Sequence, residues 1–439
     1  MHHDHLAYLI YTSGSTGLPK AVTMSHRGIH WLAVSLAGEI IGDGPPPKAV
    51  ALNSPVFFDG HVIQFSWMAG GSTMVIVPED VRRDPHQLVD LLIRHEIDLM
   101  DCTPSQLDMA TSFGVLGDIP ATTKMLVIGE AVSEKLWRTL GAGPWQAYNL
   151  YGPTETHAAT MTVIEPAEPL SIGVPLPGYD AFVVDASGEL VPQGVAGELL
   201  VGGGRMARGY HNRPALTAER FVPDSFTGRA GRRLYRTGDI VRSTSMGDLE
   251  FIGRRDNQVK VRGYRIELGE IEAAILREPG VTASAVMLRD GPAGDTRIIA
   301  YFVAPSTTTE AHVLRALESR LPEYMIPSAL LRLDSFPMTR NGKVDRSAMP
   351  EATSVAAVEG EATPPGDETE TLLTGLWSEL LDDPGLGVHS HFFKSGGHSL
   401  LAIQLIARIN KACAVDLPVQ VLFHNPTPHD MAKELRTWS

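Results

Sequence analysis

The stretch Tyr11-Thr12-Ser13-Gly14-Ser15-Thr16-Gly17-Leu18-Pro19-Lys20 decides how this chain is read. It follows an apolar run, Leu6-Ala7-Tyr8-Leu9-Ile10, that reads as a buried strand. Glycines let a backbone fold tightly and turn its N–H groups onto an anion, and Ser and Thr hydroxyls add donors. A lysine closing the loop supplies a point charge for phosphate. The stretch is not a Walker loop, because Leu18 and Pro19 follow Gly17 and Ala21 follows Lys20. Taken alone, a Ser/Thr/Gly loop after a strand is more often an ordinary turn than a phosphate cradle, and the rest of the chain decides between the two.

The chain has 439 residues, which suggests about three domains. Its composition, 43% hydrophobic and 20% charged, is that of a soluble globular protein, and no apolar run approaches the roughly 18 residues a membrane helix needs. The start, Met1-His2-His3-Asp4-His5, is neither a signal nor a transit peptide, and reads as a solvated terminus rather than a metal site. A net charge of −14 argues against nucleic-acid or acidic-membrane surfaces. Cys102 and Cys413 form no disulfide framework and fit a reducing cytoplasm.

Outward from the loop, residues 6–160 alternate short apolar strands with helical patterns, an α/β signature. Ser25 and Asp84-Pro85 are set to start helices, and strands are expected at 49–54, 97–100, 124–128 and 146–149. Residues 171–252 change to short strands and turns. Residues 257–349 form an α+β pattern, 352–366 a linker of Ala, Glu, Thr, Pro and Gly, and 367–439 a short helical unit.

Five further stretches carry chemistry. Asn149-Leu150-Tyr151-Gly152-Pro153-Thr154-Glu155 sets an aromatic face beside a turn, then a hydroxyl and a hard oxygen ligand suited to Mg²⁺. In Tyr235-Arg236-Thr237-Gly238-Asp239, a carboxylate after a Gly turn suits ribose hydroxyls; the alternative is a solvated strand end. Gly253 to Gly263, with Arg254 and Asp256, sits at a composition boundary and reads as a hinge. Asn341-Gly342-Lys343-Val344-Asp345-Arg346 places a lysine on an exposed turn, able to reach a phosphate or to be a plain surface lysine. In Phe392 to Leu400, Ser399 stands where a helix begins, as a simple cap or as an attachment point whose phosphodiester meets the positive helix end.

These six stretches, in this order, resemble the adenylation domain of a nonribosomal peptide synthetase followed by its peptidyl carrier domain, over essentially the whole chain. The resemblance implies an α/β, multi-domain fold: a partial adenylation core (α/β layers plus a β-rich subdomain) at 1–252, an α+β C-terminal subdomain at 253–349, a linker at 350–366 and an all-α four-helix carrier at 367–439. The family places a large lobe before the loop, so the resemblance is to an N-terminally truncated adenylation domain. It implies that Thr12, Ser13, Gly14, Ser15, Thr16, Gly17 and Lys20 hold ATP phosphates. Tyr151 would stack on adenine near Glu130 and Ala131, with Asn149, Gly152 and Thr154 in the same nucleotide site. Glu155 would bind Mg²⁺, Asp239 the ribose, with Arg254 nearby, and Asp256 would be the hinge. Lys343 would stabilise charge at the α-phosphate, and Ser399 would carry 4′-phosphopantetheine.

The resemblance also implies an amino-acid pocket. Asp59 in Phe58-Asp59-Gly60 would pair with the substrate ammonium, and Gly60, Ile63, Asp101, Leu126, Ile128, Leu150, Ala158 and Ala159 would surround the side chain. Asp101 needs a buried partner, which makes the substrate side chain a hydrogen-bond donor, or else it caps the turn Cys102-Thr103-Pro104. Two positions depart from the family: Ile128-Gly129-Glu130 replaces its usual Gly-Gly-Glu, and Ser395 replaces its usual Leu.

The implied activity is ATP-dependent loading of an amino acid, in the biosynthesis of secondary metabolites such as antibiotics. The implied partners are a phosphopantetheinyl transferase, other synthetase modules with condensation or thioesterase domains, and an MbtH-like accessory protein. Two alternatives stay open: an inactive fragment whose carrier domain serves as a docking module, and an acyl-CoA-forming ligase, disfavoured by Asp59 and the appended carrier.

Overall fold

A computed structural model describes residues 2–438 except 15–18, 256–257, 262–263, 291–295, 339–343, 351–362, 382, 393–394, 396, 398, 416, 419–420 and 423–424. The chain divides into two compact units, Met1–Gly14 with Leu18–Glu267, and Leu268–Ser439.

The first unit opens on the decisive stretch. β1 (Leu6–Thr12) runs antiparallel to β2 (Lys20–Ser25), with Thr12 opposite Lys20. The run 6–10 is not the buried strand expected from its apolar residues. β1 is the outer strand of a three-stranded sheet, Leu6 and Leu9 are exposed, and within the run Ile10 alone is buried. Hydrophobicity marks a strand but does not say whether both faces find neighbours.

Ser25 caps α1 (His26–Ile40) by accepting from the Gly28 amide, and Leu32, Leu36 and Ile40 line the buried face at helical spacing. The expected alternation then follows: β3 (Ala49–Leu52), α2 (Gly60–Ala69), β4 (Thr73–Ile76), α3 (Glu79–Arg83), α4 (Pro85–Arg94), β5 (Leu99–Cys102), α5 (Pro104–Ser112), β6 (Lys124–Ile128), α6 (Glu134–Ala142) and β7 (Ala147–Tyr151). Asp84, Thr103 and Ser133 cap α4, α5 and α6 through their side chains. With β8 (Thr160–Val163) and β9 (Val174–Pro175), these strands form a seven-stranded sheet ordered β4-β3-β5-β6-β7-β8-β9. The strands from β4 to β7 are parallel, and β8 and β9 antiparallel. β5 and β7 are buried throughout, as central strands covered on both faces are. Their carboxyl ends carry Asp101 and Tyr151, at the edge where α/β sheets bind ligands.

The β-rich stretch is an antiparallel five-stranded sheet. β10 (Tyr179–Val184), β11 (Ala196–Gly203), β14 (Arg233–Ser243) and β13 (Phe221–Pro223) lie side by side in that order, and β15 (Leu249–Arg254) also pairs with β14. β12 (Gly209–Tyr210) joins β2 instead, and α7 (Pro214–Arg220) follows it. The unit closes with a hairpin of β16 (Gln258–Val261) and β17 (Tyr264–Glu267).

The second unit begins with α8 (Leu268–Ile275), β18 (Ala283–Asp290), β19 (Thr296–Val303), α9 (Glu310–Glu318) and β20 (Ala329–Leu333), the expected α+β pattern around a core that includes Met287, Ile299 and Tyr301. Helices α10 (Glu368–Leu381), α11 (Ser399–Cys413) and α12 (Pro428–Trp438) enclose a separate core centred on Trp377, Phe392 and Leu405. The fourth helix of the expected bundle is not among the described elements, which are interrupted at 416, 419–420 and 423–424.

Candidate functional site

Three stretches far apart in sequence meet at Glu155. Its carboxylate is 0% exposed. Oε1 accepts from the Tyr210 hydroxyl at 2.6 Å and lies 3.6 Å from Lys20 Nζ. Oε2 accepts from Arg265 Nη1 at 2.7 Å. The Ser13 hydroxyl donates to the Arg265 carbonyl at 2.8 Å, so the loop that opens the chain touches the hairpin that closes the unit. Burial alone would raise the Glu155 carboxyl; the Arg265 and Lys20 cations and the Tyr210 hydroxyl reverse this and hold it well below the usual carboxylate range. Burial, with the Arg265 charge adding to it, pushes Lys20 down to about 8, against the attraction of Glu155.

A second cluster forms four residues earlier. The Tyr151 hydroxyl donates to Asp239 Oδ2, and Arg254 Nη1 donates to Asp239 Oδ1 at 2.5 Å. Burial raises the Tyr151 phenol, and Asp239 raises it further, so it stays a donor. Tyr151, Asp239 and Arg254 thus come together, and Tyr151 is buried in the core cluster of the unit. Asn149 turns inward and donates to the Ser171 carbonyl at 2.7 Å. Glu130, after β6, accepts from the Ser105 amide and hydroxyl at 2.9 and 2.6 Å, and Ala131 beside it is exposed. Gly152 and Thr154 lie in the turn that joins Tyr151 to Glu155.

The pocket residues also assemble. Ile63, Leu126, Leu150, Ala158 and Ala159 belong to one buried cluster, and Ile128 packs against it. Asp101 pairs in register with Leu126, and Ile128 with Leu150. Asp101 is 3% exposed; Oδ2 accepts from the Ser54 hydroxyl, and Oδ1 has no hydrogen-bond partner among the described residues. Burial pushes it up to about 6, against the Ser54 hydrogen bond. It does not cap the following turn, because Thr103 does that by accepting from the Gln106 amide. A Cβ on Gly60 would sit 2.5 Å from Ser54 Oγ and 3.3 Å from Asp101 Oδ2, so only glycine admits this approach. Asp59 opens α2 without capping it, and His157 Nδ1 lies 3.6 Å from its Oδ2.

Ser15, Thr16, Gly17, Asp256 and Lys343 lie outside the described residues, and Ser399 is described only as the first residue of α11. Just before it, a Cβ on Gly397 would fall 2.4 Å from the Phe392 ring, which packs edge-on to Trp377. Sequence reading missed Arg265, Tyr210, Ser54, Tyr8 and His157. Arg265 stands two residues beyond the Gly253–Gly263 stretch and could have been singled out with it. The others carry no local signal. Among the described residues, no group of three or more His, Cys, Asp or Glu side chains could hold a metal ion, and no helix is long and apolar enough to cross a membrane.

Three family models match the chain: AMP-binding enzyme over residues 1–211, AMP-binding enzyme C-terminal domain over 270–343, and phosphopantetheine attachment site over 371–435. The chain is similar to chondramide synthase cmdD of Chondromyces crocatus, 40% identical over 97% of this chain and 11% of that protein. It is equally similar to malpibaldin synthetase of Mortierella alpina, 40% identical over 98% of this chain and 8% of that protein. The chain thus spans about a tenth of the length of such curated relatives. Among solved structures, holo-PA1221, an NRPS protein containing adenylation and PCP domains, aligns with a TM-score of 0.80 at 30% identity, over 100% of this chain and 74% of that one. The fold, the order of the three matched segments and this alignment agree, and the chain belongs to the adenylation-plus-carrier family of nonribosomal peptide synthetases.

Proposed function

We propose that this chain activates an α-amino acid with ATP and loads it onto its own carrier domain. The observation that supports this most is the convergence, within one unit, of Lys20, Glu155, Asp239 and Asp59 from four separate stretches. In the first half-reaction a carboxylate oxygen of the amino acid attacks the α-phosphorus of ATP, the bond to the bridging oxygen breaks, and pyrophosphate leaves. In the second, Ser399 would hold a phosphopantetheine arm whose thiol would supply the nucleophile at the acyl carbon, with AMP as the leaving group and the thiol proton passing to solvent. Positioning and charge, rather than acid–base work, would supply the acceleration.

Lys20 and the loop donors suit the phosphates, Asp239 the ribose, Tyr151 the base, and Lys343 the charge that builds at the α-phosphate. Glu155 offers hard oxygens of the kind Mg²⁺ takes, but Arg265, Lys20 and Tyr210 already engage both of them. As it stands the carboxylate has no free oxygen to offer a divalent cation. Ser399 at the start of a fifteen-residue helix suits a phosphodiester, which the helix terminus favours. Asp101, with one oxygen unpartnered among the described residues, favours a substrate whose side chain donates a hydrogen bond: an amide, amine or guanidinium. The domain limits 1–252, 253–349, 350–366 and 367–439, the hinge at Asp256 and a cytoplasmic location belong to the same proposal. So do a phosphopantetheinyl transferase, an MbtH-like protein and neighbouring synthetase modules as partners.

The test is pyrophosphate exchange with the twenty standard amino acids. Exchange with donor-bearing substrates supports the proposal; no exchange with any of them leaves the carrier as a docking module. Incubation with CoA and a phosphopantetheinyl transferase should raise the protein's mass, and Ser399→Ala should abolish the gain.

A further inference from the structure

The proposed reading gives Asp59 the substrate ammonium but does not say what aims its carboxylate. The Asp59 side chain makes no capping hydrogen bond to its own helix and is one-fifth exposed. His157 beside it is 3% exposed, and its imidazole bridges two elements. His157 Nδ1 faces Asp59 Oδ2 at 3.6 Å, and Nε2 meets the Tyr8 hydroxyl from β1. The Tyr8 and His157 rings are edge-on, with centroids 5.8 Å apart and an interplanar angle of 83°. His157 has a φ of 57°, a region that L side chains rarely adopt. Its backbone is held there: the Thr156 hydroxyl donates to the His157 carbonyl at 3.1 Å, and the Tyr179 hydroxyl donates to the Thr156 carbonyl. The ring is thus held at Nε2 and through its backbone, with Nδ1 turned to Asp59.

We infer that His157 is a positioning residue that orients Asp59 for the α-ammonium group of the substrate, and that Tyr8 selects the ring tautomer that lets it do so. The inference rests on the reading of Asp59 given above. Burial, and after it the Asp59 charge, raises the Tyr8 phenol far above neutrality, so Tyr8 remains a donor. The phenol can donate or accept, but the Asp59 carboxylate facing Nδ1 only accepts, which turns the ring hydrogen toward it and leaves Nε2 to accept from Tyr8. A neutral imidazole has a single N–H, which then sits on Nδ1, the atom turned to Asp59. A neutral donor supports the carboxylate without cancelling its charge, whereas an imidazolium would compete with the ammonium for it. The titratable groups around the ring are Tyr8 on β1, Asp59 and His61 at the start of α2, and Tyr179 on β10.

The test uses the whole chain, with the standard amino acid that exchanges fastest and its des-amino carboxylic acid as probes. His157→Ala should raise KM for the amino acid about tenfold, with KM for ATP and kcat unchanged. His157→Asn restores a donor near Nδ1 and tolerates the left-handed backbone, so it should stay within about threefold of the parent. Tyr8→Phe should raise the same KM, and exchange with the des-amino acid should be equal in all four proteins. Equal losses in His157→Ala and His157→Asn, or an unchanged KM in His157→Ala, would overturn the inference. A second arm does not depend on activity. Imidazole ¹⁵N NMR, with His157→Asn identifying the resonance, should show the Nδ1–H tautomer at pH 7 and lose it in Tyr8→Phe; an Nε2–H tautomer would also overturn it. If no amino acid exchanges, the functional reading fails while the NMR arm still decides the tautomer.

Discussion

Glu155 and Asp101 are both buried carboxylates, and their surroundings send them in opposite directions. Glu155 keeps its charge because two cations and a phenol surround it; at Asp101 burial outweighs the Ser54 hydroxyl, backbone amides and the charge of Arg82. Removing one partner of a buried pair leaves an uncompensated charge, so Arg265→Gln should cost about 3–5 kcal/mol of stability in urea titrations. Arg265→Gln combined with Glu155→Gln should cost less than the two single changes added together. Asp101 titrates the other way. Its folded pKa is raised from 3.8 to about 6, first by burial, so its contribution to stability is fully present below pH 3.8 and is lost as pH rises through 6. Asn at this position does not titrate. The stability difference between Asp101→Asn and the parent should therefore move in the variant's favour by about 2 kcal/mol between pH 4.5 and pH 7, measured by urea unfolding at each pH. An unchanged difference would show that Asp101 is already paired. Local sequence named both acids as site residues, but not their opposite protonation behaviour, which depends on neighbours far along the chain.

Among the elements, helix starts were the most legible feature. Ser25 and Asp84 cap helices where the sequence placed them, and Thr103 and Ser133 cap two more. Strand environment was the least legible, as β1 shows: the strand exists, but its outer face meets water. The Gly397 turn before α11 joins sequence to packing. The motif calls for glycine, and the structure supplies the reason, since a methyl group there would overlap the Phe392 ring. Gly397→Ala should displace Phe392 from Trp377 and destabilise the carrier core by about 1–3 kcal/mol. Thermal unfolding followed by Trp fluorescence would record it, and phosphopantetheine attachment should slow in parallel.

Across the full chain, the division at Glu267 and Leu268 and the separate cores of the second unit imply that unfolding is not one cooperative event. Calorimetry should resolve more than one transition. ATP with the activating amino acid should raise the transition of the first unit by mass action and leave that of the carrier core unchanged. A single transition that shifts as a whole would mean the cores are energetically coupled.

The α/β class, the succession of segments and most of the site were already legible in the amino-acid order. Those depend on local chemistry: capping residues, turn glycines, apolar periodicity, and motifs whose members sit close together along the chain. Arg265 reaching Glu155 across 110 residues, and Tyr8 reaching His157 across 149, are products of the folded packing alone. No local rule governs such pairs, because they form where separate strands bring their side chains together. The loop at 11–20 shows both sides. Its donors and its lysine are written in one short stretch, but the charge on Lys20 is tuned by Glu155 and Arg265, which only the fold sets beside it.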